Sequence, residues 1–101
     1  MRIIRLIWIG KTKLPFVQEG ISVYQKKLRH YIKVETEEIK PSKYGSGTVD
    51  QWRRQETEKI LKHLDRSELN VFLDENGKRQ TSAGLAQWFE KQMTLGWPRV
   101  N

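Results

Sequence analysis

Three short apolar runs alternate along this chain with three stretches of helical periodicity. Residues 2–9, Arg-Ile-Ile-Arg-Leu-Ile-Trp-Ile, are β-rich and end at Gly10. A near-continuous apolar run of that length predicts a central parallel strand covered on both faces. After Pro15, which suits the first turn of a helix, Val17, Ile21, Tyr24, Leu28 and Tyr31 recur at spacings of four and three. That is one apolar stripe of a helix, with Lys26, Lys27 and Arg29 falling largely off it toward solvent. The aromatic members of the stripe are expected in the core rather than stacked on bases. Residues 34–39 predict a second strand whose acids indicate an exposed face or a sheet edge. Residues 40–49 carry Pro41, Ser42, Gly45, Ser46 and Gly47 and predict a flexible loop.

Asp50 is a good helix N-cap. Trp52, Glu56, Ile60 and Leu64 follow on one side of the predicted helix, with Leu61 beside them. Arg53, Arg54, Glu58, Lys59 and Lys62 face more toward water. Residues 70–73 predict a third strand. The next helix is capped by Thr81 or Ser82, presents Leu85, Trp88, Phe89 and Met93, and stops at Gly96. Residues 99–101 read as the beginning of a fourth strand. The order β-α-β-α-β-α-(β) predicts an α/β fold: a parallel, doubly wound sheet with right-handed crossovers and helices on both faces. A length of 101 residues suits one domain, residues 1–101, and no internal repeat is visible.

The chain is organised around Val71-Phe72-Leu73-Asp74-Glu75-Asn76-Gly77-Lys78, where an apolar strand empties into a polar turn. In open parallel sheets, ligands bind beyond the carboxyl ends of the strands. Leu73 to Lys78 is therefore the first place to look for a site. Asp74 and Glu75 could accept hydrogen bonds from a ligand or bind a cation; equally, they could be turn residues beside Gly77. Two other readings fail on spacing. Gly10-Lys11-Thr12 copies the tail of a P-loop, but the required earlier glycine position holds Arg5. A phosphoacceptor receiver domain needs acids after the first strand, where Gly10 and Lys11 stand.

Charge adds a direction. The net charge is +7. Residues 1–33 carry eight basic residues, among them Lys11, Lys13, Lys26, Lys27 and Arg29, against the single acid Glu19; the remainder carries eleven of each sign. A one-sided basic excess is the footprint of a polyanionic partner, although a solvated surface explains it too. Hydrophobic residues make up 37% of the chain, enough to fold. No apolar run approaches the roughly 20 residues a membrane span needs. The N-terminus starts positive like a signal peptide but lacks its longer apolar core and small-residue cleavage site. With no cysteine, disulfides, zinc–thiolate sites and cysteine nucleophiles are excluded, and a cytoplasmic location fits. His30 and His63 each fall near the end of a helix, where a cation is favoured, so capping rather than metal binding is expected. A Ser-His-Asp site lacks a nucleophile elbow.

Several ordered segments together resemble one family. They are Gly10-Lys11 after the first strand; Gly20-Ile21, Tyr24, Lys27-Leu28 and Tyr31 on the first helix; and Gln55-Glu56-Thr57-Glu58-Lys59-Ile60-Leu61 on the second. The last is Leu73-Asp74-Glu75-Asn76-Gly77-Lys78, with Ser82 and Leu85 after it. The set is similar to the bacterial pseudouridine methyltransferases of the large ribosomal subunit, in the SPOUT or α/β-knot class, across essentially the whole chain. Thr57 departs from the pattern, where relatives often have glycine.

The resemblance implies a parallel Rossmann-like sheet and transfer of a methyl group from S-adenosylmethionine to N3 of a pseudouridine in 23S rRNA. It implies action on the assembled ribosome, as a homodimer, with no metal and no membrane. Leu73 matches a cofactor contact of the family, and Asp74, Glu75 and Gly77 would shape the same pocket. Lys11, Lys13, Lys26, Lys27 and Arg29 would face rRNA. The glycine-rich loop and knotted segment that follow the fourth strand in the family have no counterpart here. The chain is thus expected to correspond to the first two-thirds of such an enzyme, to lack the residue guiding proton removal, and to bind S-adenosylmethionine weakly or not at all by itself. The alternative is a non-catalytic, truncated α/β module that keeps a basic RNA-binding face.

Overall fold

A computed structural model of the protein describes residues 3–42 and 47–101. Strand β1 (Ile3–Ile9) leads into helix α1 (Pro15–Leu28) and strand β2 (Lys33–Ile39). Helix α2 (Val49–Leu61), helix α3 (Ser82–Thr94) and strand β3 (Arg99–Val100) follow. The sheet order is β2-β1-β3, and both pairings are parallel. β1 pairs with β2 along its full length, from Ile3 opposite Lys33 to Ile9 opposite Ile39, and with β3 only at Ile3 and Ile4. Arg2 of the expected first strand, and residues 43–46 of the expected loop, lie outside the described residues. The acid-rich β2 is an edge strand, as its sequence indicated.

The helices lie on both faces, and two neighbouring residues of β1 show it. Leu6 faces α1 across an apolar groove. Arg5, whose side chain points to the other face, donates to the main-chain carbonyl of His63, just past the end of α2. Pro15 stands at the start of α1 as expected. The cap of α2 differs from expectation. Thr48, not Asp50, is the N-cap: its hydroxyl accepts from the Gln51 N–H at 3.3 Å, and Gln51 Oε1 accepts from the Thr48 N–H at 3.1 Å. Asp50 sits in the first turn, where its charge complements the helix dipole without closing the box. Thr81 caps α3, accepting from the Gly84 N–H at 3.0 Å. Gly96 follows α3 with a φ of 76°, the left-handed stop its sequence predicted.

The third strand is shorter than residues 70–73. Leu69 N–H donates to Arg99 O, Asn101 N–H to Leu69 O, and Val71 N–H to Asn101 O. The ladder thus joins residues 69–71 in parallel beyond β3, through a bridge between Leu69 and Val100. Phe72 and Leu73, expected in the buried strand, are exposed. The core is thin: Ile39 and Val100 are its buried apolar residues among those described, while most of β1 is half-buried. The stripe of α1 is likewise only partly covered. Val17 and Ile21 are half-buried, whereas Tyr24 and Tyr31, expected in the core, are 67% and 87% exposed. An open apolar groove of about 410 Å³ runs between Leu6 and the α1 residues Val17, Gly20, Ile21, Tyr24 and Leu28. On α3, Trp88 and Phe89 pack edge-to-face at 5.2 Å, while Leu85 and Met93 stay exposed.

Candidate functional site

The connections of a parallel sheet divide the molecule into two ends. Each helix leaves the carboxyl end of one strand and returns to the amino end of the next. At the carboxyl end, β1 exits through Gly10, whose N–H donates to Ile39 O at 2.8 Å and whose φ is 86°. Only a residue that tolerates positive φ turns the chain there toward α1. Lys11 and Lys13 follow, both exposed. Past residues 69–71, at the same end, come Leu73, Asp74, Glu75 and Gly77. The Leu73 side chain is 98% exposed.

A tight turn holds the next residues. Gly77 N–H donates to Asp74 O at 2.9 Å, and Asn76 N–H approaches Asp74 Oδ1 at 3.4 Å. A Cβ on Gly77 would stand 3.0 Å from the Asp74 carbonyl oxygen, a tight contact that glycine avoids. The Asp74 carboxylate is thus partly engaged in its own turn, as the turn reading expects. The Glu75 carboxylate is exposed.

The other basic residues lie elsewhere. α1 runs for 14 residues, about 20 Å, from the carboxyl end of β1 toward the amino end of β2. Lys26, Lys27 and Arg29 stand at its far end, exposed and, among the described residues, paired with no carboxylate. The sequence grouped five cations as one face; the fold puts Lys11 and Lys13 at one end of the sheet and the other three at the opposite end.

Arg5 leaves that surface altogether. Its side chain is 15% exposed and lies 4.0 Å from Glu68, itself 12% exposed. Arg99 approaches the other Glu68 oxygen at 3.4 Å. Asn101 Nδ2 donates to Glu68 Oε1 at 3.3 Å and to Asn70 Oδ1 at 2.8 Å. A second polar cluster anchors α2. The buried Ser42 N–H donates to Glu56 Oε1 at 3.1 Å, while Lys59 Nζ donates to Ser42 Oγ and to Lys40 O, each at 3.0 Å. Lys59 therefore turns inward to the exit of β2 rather than facing water. The available signal was an isolated charge in a run requiring cover on both faces: Arg5 needed a partner there.

His30 and His63 both follow helix ends, with His30 exposed and His63 half-buried. Among the described residues, no group of three or more His, Cys, Asp or Glu gathers as metal ligands, and no helix is long and apolar enough to cross a membrane.

A family model described as "Predicted SPOUT methyltransferase" matches residues 1–101. This chain belongs to the SPOUT methyltransferase family. Similar proteins include the ribosomal RNA large subunit methyltransferase H of Trichlorobacter lovleyi, 32% identical over 92% of this chain and 60% of the relative. The Christiangramia forsetii protein of the same description is 36% identical over 96% and 62%. That of Parabacteroides distasonis is 40% identical over 89% and 58%. This SPOUT chain thus spans about three-fifths of the length of those relatives.

Proposed function

We propose that this chain belongs to an S-adenosylmethionine-dependent rRNA methyltransferase that methylates N3 of a pseudouridine in 23S rRNA on the assembled ribosome. The protein works in the cytoplasm, as a homodimer, without a metal. The observation that carries this reading is the family match across residues 1–101, joined by relatives that share one printed description. The position of Leu73, at the carboxyl end of a parallel segment, supports it as a cofactor contact.

The residues present fit such a cofactor. Leu73 offers an apolar side chain free to cover the adenine ring. Glu75, and the part of Asp74 not used in its turn, offer carboxylate oxygens to amino and hydroxyl groups. Gly77 N–H closes the turn on Asp74 O. Held by Leu73, Asp74, Glu75 and Gly77, S-adenosylmethionine would supply an electrophilic methyl group on its sulfonium. Lys11 and Lys13, at the same end, neutralise phosphates of the incoming RNA, while Lys26, Lys27 and Arg29 hold phosphates at the other end. Residues 1–101 alone bind the cofactor weakly, and calorimetric titration showing micromolar affinity for them would count against that.

The test is methyl transfer from tritiated S-adenosylmethionine to ribosomes lacking the modification, followed by nucleoside analysis. Label on N3 of pseudouridine supports the proposal. A folded full-length protein that binds ribosomes but transfers no label would leave the non-catalytic, RNA-binding module.

A further inference from the structure

We propose that Tyr24 and Tyr31 stack on unpaired bases, making the far end of α1 a single-strand contact for rRNA, remote from the methyl-donor end of the sheet. The inference rests on the RNA reading above and adds to it the form of RNA recognised.

The two rings are seven residues apart. Tyr24 lies on the last turns of α1, and Tyr31 follows three residues past its end, in a turn closed by bonds from Tyr31 N–H to Leu28 O at 2.9 Å and from Ile32 N–H to Leu28 O at 3.0 Å. Both rings are largely exposed, which the spacing of an apolar stripe does not account for. One exposed ring is ordinary on any surface. Here the two are interleaved with cations. Lys27 Nζ lies 5.7 Å from the Tyr24 ring centre, and Lys26 and Arg29 are exposed around them. No acid occurs between Glu19 and Glu35, and Glu35 is engaged by Lys33 at 3.5 Å.

Exposed rings among cations that no carboxylate of the described residues engages suit a single strand, whose bases present their faces while its phosphates meet the cations. A duplex hides those faces and offers mainly phosphates and 2′-hydroxyls. Charge complementarity therefore selects a polyanion, and the rings select its unpaired form. The contact lies about 20 Å from the carboxyl end of the sheet, so it anchors the substrate and takes no part in the chemistry.

The experiment compares a labelled single-stranded RNA with a duplex of equal length, by fluorescence anisotropy on the full-length protein. Replacing both rings (Tyr24→Leu, Tyr31→Leu) is expected to weaken single-strand binding by about tenfold per ring and to change duplex binding by less than about twofold. The Tyr24→Phe, Tyr31→Phe pair, which keeps the rings and controls for folding, is expected to stay within about twofold on both. Wild-type single-strand affinity in the Leu pair overturns the proposal, as does equal loss on both RNAs. A shift of the Leu pair from dimer to monomer, with RNA binding lost in proportion, also overturns it and assigns the rings to contact between copies. Failure of the wild type to bind either RNA sinks the RNA reading itself.

Discussion

Arg5 Nε donates to the side-chain carbonyl of Asn101 at 3.0 Å, across 96 residues of sequence. The bond ties the central strand to the end of the β3 ladder, and Glu68 lies between their charged and amide groups. Removing Arg5 leaves the Glu68 carboxylate, 12% exposed, with Arg99 as its remaining cation. Breaking one arm of so enclosed a pair is strongly destabilising. Arg5→Ala is expected to lower unfolding free energy by about 3 kcal/mol, read from the urea midpoint at unchanged slope.

The α2 cap gives a smaller and separable effect. Thr48→Ala removes the acceptor of the Gln51 N–H and should cost about 1 kcal/mol. Asp50→Asn, two residues inside, keeps the box and should cost no more than about 0.5 kcal/mol. Equal losses in the two variants would mean that charge, not the reciprocal bonds, starts this helix.

Glu56 stands where the sequence indicated an apolar contact side. Its carboxylate instead accepts from the buried Ser42 N–H. Glu56→Leu would leave that donor unsatisfied and is expected to cost about 1–3 kcal/mol. Amide exchange at Ser42 should accelerate in the same variant.

Hydrogen bonds from the Ser67 N–H and then the Ser67 hydroxyl hold the Asp65 carboxyl below the ordinary aspartate range. A group with a depressed folded value contributes stability above its unfolded pKa and loses it as pH falls through the folded one. The Asp65 contribution is therefore expected to be complete above about pH 4 and to fade below it. Ser67→Ala removes the hydroxyl donor and should move the Asp65 midpoint upward in an NMR titration, without fully restoring it, because the N–H remains.

Charge reversal at the far end of α1 checks the RNA contact as electrostatics. Lys26→Glu, Lys27→Glu and Arg29→Glu together should weaken RNA binding. They should also flatten the plot of log affinity against log salt by about 2–3 units of slope, one counterion contribution for each lost phosphate contact. An unchanged slope returns that helix end to ordinary solvated surface.

Much of the architecture was legible from local pattern. The Ile3–Ile9 run, the Pro15 start, the Gly96 stop and the acid-rich edge strand each carry their structural reason within a few residues. What was not legible depends on distant partners. Phe72 and Leu73 have the composition of a buried strand, yet both are exposed. Lys59 fits a solvent face by periodicity, yet the exit of β2 offers its ammonium two oxygens. Counting charges grouped Lys11 with Arg29; only topology separates them. At the candidate site, the sequence located the turn and its glycine, whose N–H closes on Asp74 O.

The pairing of β1 with β3 also sets a timetable. A ribosome adding about 5–20 residues per second needs about 5–20 seconds to travel from Arg5 to Asn101. For that interval β1 has one edge without its partner, and the Arg5 guanidinium waits as long for its acceptors. Synthesis speed through the intervening residues thus controls how long a sticky, half-finished strand is offered to its neighbours. A pause placed after β2 and before β3 would lengthen that exposure and raise the demand for chaperones, with no change in the protein finally made.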